Sequence, residues 1–150
     1  MKIELRLNKE NGIELTALVG DIFVSDGENS FTEKNVYLDS WLCSLVEGLL
    51  ILKKGKNVII DLIEESYNIE FLLEGKKIII SIPGKSILID EIALFEKELK
   101  SKVISFLEEI NVFEMDIKEQ TLKFLDDFVY NRININTEFV QPIVKEWNPI

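Results

Sequence analysis

Histidine is missing from this 150-residue chain, and cysteine occurs once, at Cys43. These absences exclude Ser-His-Asp and Cys-His relays and zinc sites made of imidazoles and thiolates, because the atoms are not there. Any catalysis would have to rest on carboxylates, lysines, hydroxyls or a hard metal ion. Proline (3) and glycine (7) are sparse, which speaks against a disordered or collagenous chain. The longest apolar stretch, Leu49 to Leu52, ends at Lys53 and Lys54, far short of the roughly 20 residues that span a bilayer. Met1 to Leu7 alternates polar and apolar residues and has no signal-peptide core. With one unpaired cysteine, the expected setting is a reducing, cytoplasmic one.

Basic residues are also in deficit. There are 27 acidic against 17 basic side chains, a formal net charge of -10. Such a chain is repelled by nucleic acid and by anionic membrane, since both are bound by displacing counterions with a cationic surface. The field would attract a basic protein instead.

What is present is a 47% apolar content, enough for one self-sufficient core. A single domain over 1–150 is therefore expected. Ile3, Leu5 and Leu7 fall on one side of an extended segment, and Asn11-Gly12 suits a tight turn into a second strand at Ile13 to Ala17. Asp21 to Val24 reads as a third strand, closed by the polar loop Ser25 to Ser30, and residues 1–34 form the strand-rich opening. Trp41, Leu42, Leu45, Val46, Leu49 and Leu50 recur at helical spacing, giving a helix over 39–54 that should be covered on several sides. A meander follows over 57–89, with strands at Val58 to Ile63, Tyr67 to Leu73, Lys77 to Ile82 and Ser86 to Ile89.

Two helices are expected over 90–132. The first has the stripe Ile92, Phe95, Leu99, Val103, Phe106 and Ile110, with Asp90 and Glu91 at its start. The second has Leu122, Leu125, Phe128 and Val129, opened by a capping box of Asp116 and Glu119. The tail 133–150 is apolar enough at Phe139, Val140, Ile143, Val144 and Trp147 to pack back on the domain. The fold class is α+β: an antiparallel sheet of about six or seven short strands with helices packed on it, in the order β-β-β-α-β-β-β-(β)-α-α.

Chemical motifs fail on spacing. Gly84-Lys85-Ser86 resembles the end of a phosphate-binding loop, but Ile79 stands where that loop needs glycine. Asp61 with Glu74 and Lys76 has the residue types of a magnesium site, yet Glu74 sits at a turn rather than on a rigid strand. Asp21, Asp26 and Glu28 do not fit the twelve-residue calcium loop. The doublets Glu64-Glu65, Glu108-Glu109 and Asp126-Asp127 add negative potential without forming an acid–base pair. Cys43, in an apolar helix without a histidine to activate it, reads as core. Tyr37, Tyr67, Tyr130 and Trp147 are either interface anchors or partly buried core.

Neither a catalytic residue, a metal nor a cofactor is assigned. The expectation is a non-enzymatic acidic protein-binding domain, in one concrete form a bacterial immunity- or antitoxin-type protein that covers a basic partner with Glu108, Glu109, Glu119, Asp126 and Asp127. Two alternatives stand beside it. A carboxylate-only or magnesium-dependent hydrolase requires a deep pocket with converging acids. A structural subunit of an oligomer requires an exposed apolar patch.

Overall fold

In the computed structural model, residues 1–8, 18–114, 117, 119–133 and 144–147 are described. The chain opens on β1 (Lys2–Leu7), β2 (Val19–Ser25) and β3 (Ser30–Tyr37), an antiparallel sheet in the order β1-β2-β3. β1 buries Ile3 and Leu7, and β2 buries Ile22 and Val24, as the alternation requires. The partner of β1 is β2, with Lys2 opposite Ser25 and Leu7 opposite Gly20. The turn expected at Asn11-Gly12 and the strand expected at 13–17 lie outside the described residues. Gly20 is needed where it stands, since a Cβ there would sit 2.1 Å from the Arg6 carbonyl oxygen.

β3 escapes sequence reading because its alternation is broken. A register shift between Gly20 and Ile22 coincides with a positive φ of 55° at Asn35, so Phe31 and Val36 are both buried despite an odd spacing. Asp21 Oδ1 accepts a hydrogen bond from the Asn35 backbone N–H at 3.1 Å and fixes that kink.

β3 runs directly into α1 (Leu38–Lys53). Burial on several sides of this helix, at Trp41, Leu42, Leu45, Val46, Leu49 and Leu52, matches its nearly continuous apolar surface. The second sheet holds β4 (Asn57–Leu62), β5 (Tyr67–Glu74), β6 (Lys77–Ile82), β7 (Lys85–Ile89) and β8 (Val144–Trp147). Its order is β7-β6-β5-β4-β8, antiparallel throughout. The meander is as expected, and β8 brings the tail back onto β4, with Val144 opposite Ile60. Residues 139, 140 and 143 of the expected packed tail lie outside the described residues.

α1 packs on β4 and β5, touches β2 and β3, and meets α2 (Ile92–Glu109) and α3 (Gln120–Val129). Phe95, Leu99, Val103 and Phe106 form the buried stripe of α2. α2 also packs beside β1, where Glu98 Oε2 accepts the Ile3 N–H at 2.6 Å. At α3 the expected capping box is corrected. The N-cap is Glu119 itself, whose carboxylate accepts the Leu122 N–H at 3.1 Å, and the helix begins at Gln120. A cap at Asp116 would need the helix to start earlier. No described helix is long and apolar enough to cross a membrane.

β3 meets β7 where the two sheets join, and Asp26 ties this junction. Asp26 Oδ1 accepts the Glu28 and Asn29 N–H groups, both at 2.7 Å, and Oδ2 accepts that of Leu88 in β7 at 2.8 Å. It is therefore a turn-and-sheet clamp rather than a calcium ligand. Partial burial pushes its carboxyl up, but the donors from Asn29, Leu88 and Glu28 outweigh this and hold it below its ordinary value. A depressed folded value stabilises above the unfolded pKa of about 4, and the contribution is lost as pH falls through the folded one. Asp26→Ala should cost about 1–2 kcal/mol at neutral pH, with the difference shrinking as acid protonates the folded carboxyl. Urea unfolding at neutral and acid pH checks this; a difference that persists in acid would show that the charge is not the source.

Candidate functional site

Four elements converge at the start of α1. β3 ends at Tyr37, the helix N-cap, which has no side-chain cap of its own. A 3-10 turn at Ile63–Glu65, released into β5 by Ser66 with a φ of 61°, brings two carboxylate acceptors here. Glu65 Oε1 accepts the Tyr37 N–H at 3.4 Å, and Glu64 Oε1 accepts the Ser40 hydroxyl at 3.2 Å. Negative charge is favourable at this positive helix end.

The cluster extends to both sides. Glu33 of β3 and Glu65 both act on the Tyr67 hydroxyl, which burial holds far above its ordinary pKa. Asp39 Oδ2 accepts the Thr121 hydroxyl at 3.3 Å, and that hydroxyl also lies against Glu119 Oε2. Burial first, and the neighbouring Glu119 charge second, raise the Asp39 carboxyl, against the Ser40 N–H that lowers it. Glu33, Asp39, Glu64, Glu65 and Glu119 thus form an acidic rim beside Tyr37, which is 38% exposed. Among the described residues, no lysine or arginine is ion-paired with any of the five.

Of the five acids expected to cover a partner, only Glu119 belongs to this rim, although the doublet Glu64-Glu65 also stands out in the sequence as a source of negative potential. Asp126 and Asp127 are held by Arg132, at 2.6 and 3.3 Å, and Asp127 also by Lys123 at 3.6 Å. Glu108 and Glu109 are exposed at the far end of α2, where a helix terminus is already negative. Glu33, Asp39, Glu64 and Glu65 were missed as a group, because 28 or more residues separate Glu65 from its contact at Tyr37 and no local pattern joins them.

Two adjoining grooves lie elsewhere, over β1 and β2 beside the end of α2, with volumes of about 430 and 740 Å³. Their charges are mixed: Arg6 and Lys102 with Glu4, Asp21 and Glu109. The carboxyls with raised pKa line neither groove. Asp39 is in the rim, and Glu47 of α1, pushed up to about 8 by burial, lies in the core.

Among the described residues no three His, Cys, Asp or Glu side chains converge as metal ligands. Asp61 pairs with Asn68, which places Glu74 six residues further along β5, roughly 20 Å away. Gly84, with a φ of 78°, turns β6 into β7. Cys43 is buried, and burial with the charges of Asp39, Glu47 and Glu119 raises its thiol well above its ordinary value, so it is not a nucleophile. Trp41 is fully buried between Phe31 and Tyr67, while Tyr130 is exposed under Arg132. On the outer side of the five-stranded sheet, Leu72, Ile79 and Leu88 neighbour one another across β5, β6 and β7. Compared with known proteins, the chain matches no family model, no curated protein and no solved structure.

Proposed function

We propose that this protein works by binding, without catalysis, and that its partner is a basic protein received on the acidic rim at the start of α1. An immunity- or antitoxin-type protein that covers a basic toxin is the concrete form of this reading. The observation that supports it is the convergence of five carboxylates, lacking basic partners among the described residues, around a partly exposed tyrosine. Tyrosine contributes rigid contact area at low entropic cost, and flanking charge of one sign speeds and orients encounter with the opposite sign.

Local charge must be separated from net charge. A lysine- and arginine-rich peptide serves as the probe, at low and at high salt. Reversing Glu64 and Glu65 to lysine should weaken its binding by about tenfold at low salt. The same change of net charge at the exposed Glu74 and Glu91 should leave affinity within about twofold. Equal losses from both pairs would reduce the rim to a share of the overall charge and end the reading.

A further inference from the structure

α1 carries a row of three ionisable residues, Asp39, Cys43 and Glu47, at four-residue spacing and so on one face. Two contacts set the start of α3 against that face: the Thr121 hydroxyl donates to Asp39 Oδ2 at 3.3 Å, and the Cys43 thiol donates to the Thr121 carbonyl at 3.5 Å. Glu47 is 8% exposed, and both its Oε2 and Asp39 Oδ1 are buried without a hydrogen-bond partner. For Glu47, a carboxylate with neither a donor nor a cation among the described residues, such a place is tolerable only while the proton stays on.

Among the described residues, the groups around the row offer no counter-charge. From α3, Glu119 adds negative charge beside Asp39 and Cys43, and Lys123 is directed at Asp127. From α2, Lys100 is directed at Asn131, while Glu96 holds Lys53, the cation at the end of α1 itself. Tyr67 of β5 and Glu33 of β3 lie around Trp41. Asp61 of β4 and Asp21 of β2 alternate with the core-facing Ile60 and Ile22, and Asn57 of β4 spends its carbonyl on the Leu73 N–H.

We propose that this junction is a pH-gated clasp: α3 stays docked on α1 while Glu47 holds its proton, and lifts from it, uncovering Cys43, when Glu47 ionises. An ionised Glu47 would be a buried charge with no donor or cation among the described residues to offset it, and the cheapest relief is local opening that lets water in. The gate is independent of what the acidic rim binds.

Cys43, the only thiol, reports the opening. Its alkylation rate by iodoacetamide is measured in the native protein and in the urea-unfolded chain at the same pH. The ratio is a protection factor from which thiol ionisation cancels. In the wild type, protection should fall by about tenfold per pH unit between pH 6 and 8, one proton being released per opening. In Glu47→Gln it should stay level over that range. Small additions of urea should leave the wild-type value nearly unchanged, because a local opening exposes little surface. Protection independent of pH in the wild type would overturn the proposal, as would an equal fall in the glutamine variant. So would urea dependence as steep as that of global unfolding.

Discussion

Gly48→Val is expected to lower the unfolding free energy by about 3–4 kcal/mol, and Gly48→Ala by about 2 kcal/mol. Propensity alone points the other way, since alanine in a helix interior is about 1 kcal/mol better than glycine. Space decides. A Cβ at position 48 would lie 2.4 Å from two ring carbons of Phe71 and 2.6 Å from a third, well inside van der Waals contact. The ring has nowhere to retreat: Phe71 is fully buried, sits on β5 between β4 and β6, and stacks on Phe95 of α2 at 6.5 Å. The overlap cost, about 3 kcal/mol at the upper end of the usual range for alanine, therefore exceeds the helix gain. For a chain of this length the alanine change should lower Tm by roughly 4–8 °C. Phe71→Leu in the Gly48→Ala background should recover part of that loss, giving a favourable coupling in the double-mutant cycle. An alanine variant as stable as wild type would mean that α1 and β5 are not in the contact described.

The regular parts of this fold were legible because their periodicity is unbroken. Ile78, Ile80, Ile82, Ile87 and Ile89 repeat every second residue on core-facing strands, and Phe95, Leu99, Val103 and Phe106 every third or fourth on a helix. The errors fall where local signals and tertiary contacts disagree. β3 was lost because the kink at Asn35 reverses the phase of its alternation. The candidate site was the least legible part. Acid doublets are conspicuous in a sequence, but Asp126 and Asp127 are answered by Arg132, four or more positions away in a turn that no pattern marks. The rim depends on where the 3-10 turn sets Glu64 and Glu65, and on Glu119 capping one helix while approaching another. Those are products of packing, and residue order contains them only through the whole fold.

Glu47→Gln is expected to stabilise the protein increasingly as pH rises. Burial is the sole cause that raises this carboxyl from 4.5 to about 8. Between those values the folded chain retains a proton that the unfolded chain has released, so unfolding becomes easier with each pH unit. The stability associated with the protonated group is complete below about 4.5 and is lost as pH climbs through the folded value. At about 1.4 kcal/mol per unit the full window amounts to nearly 5 kcal/mol; partial solvation of a group near the helix surface reduces this to about 2–4 kcal/mol. Glutamine has the same shape and no charge to lose. The variant should match wild type near pH 4.5 and exceed it by about 3 kcal/mol at pH 8, read from urea unfolding at pH 5, 6.5 and 8. The Asp26 clamp does not obscure this, since its contribution changes only in acid, below the window. Parallel pH profiles for the two proteins would show that Glu47 already shares its charge with water in the folded state. A divergence confined to this range would identify one unpartnered carboxyl as the main reason that the fold is less stable in alkali than in weak acid.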